Sequence, residues 1–153
     1  MNRAVYVIIA VIVIVVIVAG ALVYVFMAPG STGSNNLTGN NIDIYCGEYG
    51  YGSSSSNIGS PGPSITLTSG QTVTVTLHNV GAMAHNWAIT TDKTDGSTNL
   101  AFSGAQIGSG SSPVAAGGTQ SVTFTVGAKG NYYYICQVDG HVSLGMWGTV
   151  TVQ

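Results

Sequence analysis

Between Thr72 and His78 the chain alternates: Val73, Val75 and Leu77 stand between Thr72, Thr74, Thr76 and His78. A period of two sends successive side chains to opposite faces, so this stretch reads as a strand with one face in a core and one in water. The same alternation recurs in Ile65-Thr66-Leu67-Thr68 and from Ser121 to Val126, where Val122, Phe124 and Val126 share a face. Ile42 to Cys46, Asn86 to Thr90, Asn131 to Cys136 and Trp147 to Val152 read as further strands, with Gly, Asn and Ser supplying the turns between them. Gly47 through Gly62 reads as a loop rich in glycine and serine. About seven short strands with long connections predict an all-β domain, a β-sandwich of Greek-key type.

The N-terminal segment obeys different rules. Ala4 to Ala28 is apolar apart from two tyrosines and a glycine, and no charge interrupts it. Roughly 20 apolar residues suffice to cross the hydrocarbon layer as a helix, and in lipid a lone segment can satisfy its backbone only that way. Residues 1–28 are therefore expected to form a single transmembrane anchor helix. A cleaved signal peptide is the competing reading, with Ala19-Gly20-Ala21 as its small-residue site, but the apolar run continues through Leu22, Val23, Val25, Phe26 and Met27. A filament-forming helix is a third reading, for which Met1-Asn2-Arg3-Ala4 lacks the expected basic residue and glycine. Arg3 near the start places that end in the cytoplasm and the C-terminal domain outside the cell membrane. Residues 29–41, rich in Gly, Ser and Asn, read as a flexible linker, and 42–153 as the β domain. Asn36-Leu37-Thr38 matches a short glycan-acceptor pattern.

Charge excludes one class of partner. The only side chains that are always cationic are Arg3, Lys93 and Lys129, and the net charge is -2, so nothing here would neutralise a phosphate backbone. No phosphate-binding or dinucleotide loop is present in the sequence.

The chemistry concentrates near the C-terminus. Cys136, His141 and Met146 stand five residues apart, each pair separated by four others, and His85 lies far upstream in Met83-Ala84-His85-Asn86-Trp87. A thiolate, two imidazoles and a thioether are the ligands of a mononuclear blue copper centre, with the thioether as the weak axial one. Cys136 ends one predicted strand and Met146 precedes the next, so the three lie in one loop at one pole, where the strand opened by His85 also arrives. Other readings exist for each residue. Cys136 is also consistent with a structural thiol or with a disulfide to Cys46. His78 reads as a solvent-facing residue at a strand end.

These motifs resemble the cupredoxins, the small type 1 blue copper proteins, over roughly Ser64 to Gln153. Cys136-x4-His141-x4-Met146 followed by Trp147-Gly148-Thr149-Val150 is similar to the auracyanin, rusticyanin and sulfocyanin branch, and the His85-Asn86 segment is similar to that of azurins and auracyanins. Plastocyanins have a shorter gap between the cysteine and the second histidine. The resemblance implies a cupredoxin sandwich behind the anchor, holding one copper through His85, Cys136, His141 and Met146. It also implies that Asn86 bridges the ligand loops and tunes the cysteine sulfur, and that the Ala84 carbonyl occupies the place of a distant fifth oxygen. The implied function is one-electron transfer, not catalysis, between membrane oxidoreductases of a respiratory or photosynthetic chain or to a terminal oxidase. Docking is expected through an apolar rim of Gly81, Ala82, Met83, Val142 and Leu144 around His141. Copper storage or delivery is the alternative, but it favours exposed Met or Cys clusters, and only Met83 and Met146 lie near this site. A non-redox structural or filament domain is the other, and it predicts no blue absorption.

Overall fold

The computed structural model describes residues 36–153, so the predicted anchor over 1–28 and the linker up to residue 35 lie outside the described residues. Eleven strands follow in chain order: β1 (Asn36–Thr38), β2 (Asn41–Gly47), β3 (Gly50–Gly52), β4 (Ile58–Gly59), β5 (Ser64–Leu67), β6 (Thr72–Asn79), β7 (Trp87–Thr90), β8 (Gln106–Ile107), β9 (Thr119–Thr125), β10 (Gly130–Ile135) and β11 (Trp147–Val152). They form two sheets. One runs β1-β5-β11-β10-β7-β8 and the other β4-β3-β2-β6-β9.

The alternation of the sequence becomes the inside and outside of these sheets. In β6, Val73, Val75 and Leu77 are buried, while Thr74 and Thr76 reach across the outer face to Thr123 and Ser121 of β9 at 2.8 and 2.9 Å. Ile42, Ile44 and Cys46 of β2 join the same core layer, facing Ile65, Leu67, Ile89, Val150 and Val152 of the other sheet. Each buried Val, Leu or Ile side chain contributes about 1.5–3 kcal/mol of transfer free energy, opposed by the entropy of ordering the chain.

The sandwich begins earlier than the sequence reading placed it. Asn36–Thr38, assigned there to the linker, pairs in parallel with β5. The expected loop 47–62 contains β3 and β4, which continue the second sheet outward from β2. Among the described residues no helix is long and apolar enough to cross a membrane.

Two neighbouring strands present the ligand loop. β10 and β11 are antiparallel, with Ile135 opposite Trp147 and Tyr134 opposite Gly148. Gly148 must lack a side chain, because a Cβ there would collide with the Tyr134 ring. The Tyr134 hydroxyl donates to the Pro63 carbonyl at 2.6 Å, anchoring β10 to the segment before β5. Residues 136–146 are thereby held as one loop at the end of the sandwich. The Cys136 N–H donates to the Met146 carbonyl at 3.1 Å, and the Met146 N–H to the His141 carbonyl at 3.0 Å.

Candidate metal centre

His85 is fixed before its side chain makes any contact. Its N–H donates to the Val114 carbonyl at 3.1 Å and its own carbonyl accepts from the Val114 N–H at 2.8 Å. Buried Asn79 closes the preceding turn, donating to the Met83 and Val114 carbonyls and accepting from the Gly81 N–H. The imidazole is thus delivered to the pole where β10 ends.

There His85, Cys136 and His141 converge, all buried, with one ligand atom from each lying within 4.8 Å of the others. His85 Nδ1 faces His141 Nδ1 at 3.3 Å, and Cys136 Sγ lies 3.4 Å from the same His141 nitrogen. Two ring nitrogens aimed at each other beside a thiol make a poor set of mutual partners, because neutral imidazole carries one donor and one acceptor. They make a good set for a soft cation, which thiolate and imidazole prefer. His85 and His141 are both pushed below the usual histidine range, by burial first, with the His141 charge adding to the effect on His85. Neutral imidazoles are what a metal requires.

Burial pushes the Cys136 thiol up, but N–H groups of Asn86 and Val138 and the Tyr51 hydroxyl act against it. The same donors would stabilise a metal-bound thiolate. Met146 is fully buried and is tied through its backbone to both Cys136 and His141. Ala84 is half-buried immediately before His85. The donor set and its surroundings fit a copper ion.

Asn86 lies fully buried between the ligand segments. Its Oδ1 accepts from the Gln137 N–H at 2.6 Å and lies 3.6 Å from Cys136 Sγ, while its Nδ2 donates to Gln137 Oε1 at 2.8 Å. Gln137 passes the network on, donating to the Ser97 carbonyl at 2.8 Å. Tyr51, which sequence reasoning left in a loop, donates to the Asn86 carbonyl at 2.5 Å. Asp95 is another residue without a sequence signal. Its carboxylate accepts from the N–H groups of Val142 and Ser143 at 2.8 and 3.1 Å, and from the Ser143 hydroxyl, clamping the turn that carries His141.

Both cysteines are free thiols, so the disulfide considered between them does not form. Cys46 is buried, and burial, then Cys136 and Glu48, pushes its thiol up to about 12. His78 stands apart on the second sheet, bonded to Asp43 at 2.8 Å and stacked on Tyr45. The rim around His141 differs in one member from the expected set. Met83 and Leu144 are exposed, 40% and 56%, but Val142 is buried. His141 itself is only 5% exposed, because Tyr49 packs edge-on against it with ring centroids 5.5 Å apart.

A two-sheet β-sandwich carrying two imidazoles and a thiol at one pole defines a cupredoxin with a type 1 copper-binding domain. The chain belongs to the plastocyanin/azurin family of copper binding proteins, whose sequence pattern matches residues 53–153. It is 36% identical over 103 residues to Auracyanin-A of Chloroflexus aurantiacus, a match covering 58% of this chain and 63% of that protein. To rusticyanin of Acidithiobacillus ferrooxidans it is 33% identical over 94 residues, covering 60% of this chain and 50% of the relative. The chain thus spans between half and two thirds of the length of these relatives. Among solved structures it resembles dithionite-reduced auracyanin from Roseiflexus castenholzii, with a TM-score of 0.59, 25% identity, and coverage of 76% of this chain and 98% of the other. Rusticyanin from Thiobacillus ferrooxidans shares the fold at a TM-score of 0.56, with 23% identity and coverage of 81% and 86%.

Proposed function

We propose that this protein is a membrane-tethered electron carrier that accepts and donates one electron at a time through a copper ion held by His85, Cys136, His141 and Met146. The observation that carries this reading is the convergence of two Nδ1 atoms and one Sγ within 4.8 Å in a buried site. Bound copper would supply the Cu(I)/Cu(II) couple. The chain's own residues do the rest. The β10–β11 pair and the His85–Val114 bridge hold the donors on a stiff frame, so little has to move when the charge changes. Asn86 ties the two ligand segments together, and Met146, buried and bonded through its backbone to Cys136 and His141, would supply the thioether donor. Burial of all three clustered ligands leaves a substrate no approach to the metal, which favours a carrier over an enzyme.

Exchange with partners is assigned to the His141 pole. Met83 and Leu144 form an apolar rim there. Weak apolar contact suits brief docking, with membrane oxidoreductases or a terminal oxidase as the proposed partners. The uncharged run over residues 4–28 supports an anchor that keeps the domain on the outer face of the cell membrane.

Copper reconstitution followed by optical spectroscopy tests the reading. An intense blue band is expected in the folded parent and should vanish in Cys136→Ser, which removes the sulfur donor. A folded, copper-loaded parent without that band rules the proposal out.

A further inference from the structure

The hairpin between β2 and β3 has an unexpected sequence at its tip. Gly47 pairs with Gly50, leaving Glu48 and Tyr49 as the two turn residues. Two-residue turns of this kind favour Asn, Asp and Gly, because one or both positions need positive φ. Here Tyr49 takes that position with a φ of 58°, the only non-glycine residue to do so among the described residues. A bulky side chain in the left-handed region is uncommon and directs attention to what the side chain touches.

Both turn side chains touch the metal centre. The Tyr49 ring meets His141 edge-on, and its hydroxyl donates to Met83 Sδ at 3.6 Å, closing the ring over the pole. Glu48 reaches the other histidine. One carboxylate oxygen accepts from the Ala82 N–H, and the other lies 3.9 Å from His85 Nε2. That nitrogen is buried and has no hydrogen-bond partner. Gly81 makes room for the carboxylate, since a Cβ there would lie 2.8 Å from Oε2 and 3.1 Å from Oε1. The approach is about 1 Å beyond hydrogen-bond contact, so a hydrogen bond between them requires the Glu48 side chain to rotate inward.

We propose that the Glu48–Tyr49 turn is a clamp on the two imidazoles, with Glu48 holding the proton of His85 on Nε2 and Tyr49 shielding His141 from water. The proposal rests on the copper reading above. A proton held on Nε2 leaves the Nδ1 lone pair free, and Nδ1 is the atom that faces His141 Nδ1 and the cysteine sulfur. A carboxylate behind a metal-binding imidazole also makes the ring a stronger donor and favours the more highly charged metal state. Glu48 and Tyr49 both lie before the 53–153 span that matches the family. Both are positioning residues.

The test compares the full chain with Glu48→Gln, Glu48→Ala, Tyr49→Phe and Tyr49→Ala. In the metal-free state, ¹⁵N resonances of His85 should report a fixed Nε2–H tautomer in the parent and a mixture in Glu48→Ala. Competition with a chelator should show copper affinity falling ~10–100-fold in Glu48→Ala. Glu48→Gln keeps an acceptor oxygen but loses the charge, so the tautomer should persist while the reduction potential rises. Tyr49→Phe should match the parent in oxidation by ferricyanide, and Tyr49→Ala should be oxidised faster. A parent-like tautomer in Glu48→Ala, or a parent-like rate in Tyr49→Ala, overturns the clamp. Should the alanine variants fail to fold, a parent-like potential in Glu48→Gln overturns it instead. Absence of a blue band in the parent defeats the copper reading, whereas the metal-free tautomer reads the Glu48 contact without copper.

Discussion

Two buried cysteines sit near one another in this fold and differ in what faces their sulfurs. Cys46 has its thiol pushed up to about 12, with burial as the largest cause, so it stays protonated and packs as a small apolar residue. Cys136 is equally inaccessible and burial pushes its thiol up as well, but the N–H groups of Asn86 and Val138 act against that rise. Asn86 is the residue on which that environment depends. It satisfies both the Gln137 N–H and the Gln137 side-chain oxygen, and all three groups are buried. Removing a buried partner costs the desolvation of each group left behind, so Asn86→Ala is expected to destabilise the metal-free domain by about 2–4 kcal/mol. Urea titration of parent and variant measures it. A loss below about 1 kcal/mol would mean that water or a shifted Gln137 replaces the amide.

The connection between β7 and β8 is a second point of control, because two aspartates organise it and one of them reaches the ligand loop. Asp92 is held down to about 2, first by the Asn99 amide, then by the Thr94 N–H. Asp95 is held below its ordinary value by the Ser143 hydroxyl first, and burial opposes this. A carboxyl whose folded value lies below its unfolded one stabilises the protein when ionised. Its contribution is complete above the ordinary 3.8 and is lost as the pH falls through the folded value. Stability of the metal-free domain should therefore decline as the pH falls below 3.8, the Asp92 share being lost toward about 2, and Asp92→Asn or Asp95→Asn should flatten that decline. Denaturation midpoints across this range check it, and an unchanged slope in both variants would refute it. The strands that support these loops were readable in the sequence to different degrees. β6, β9, β10 and β11 have six to eight residues each, enough for a period to show. β1, β3, β4 and β8 have two or three, and two of the three residues of β3 are glycine, so no period can appear. The cluster of His85, Cys136 and His141 was legible because ligand types and spacing carry the signal. Asp95, Tyr51, Glu48 and Tyr49 were not, because each reaches its partner across the fold from a segment with no motif of its own.

On the scale of the whole molecule, the chain carries very little charge outside its contacts. Lysine and arginine number three and aspartate and glutamate five, giving a net charge of -2. Long-range steering toward a partner is correspondingly weak, so confinement has to supply encounter frequency. A tether does this by raising the effective concentration of the domain at the membrane surface. On the proposed reading, the uncharged run over 4–28 would supply place, and the hydroxyl-faced sandwich with its apolar rim would supply exchange. Because the described residues 36–153 contain every proposed ligand, the chain beginning at Ser34 should bind copper and show the same absorption as the full chain. The two should differ in partitioning. The full chain is expected to float with lipid vesicles on a density gradient and to leave them only with detergent, while the shortened chain stays in the aqueous fraction. If the full chain also remains aqueous, the tether is lost from the proposal and the copper site is untouched. If the shortened chain loses its absorption, the N-terminal segment has a part in the metal centre that the sandwich alone does not explain.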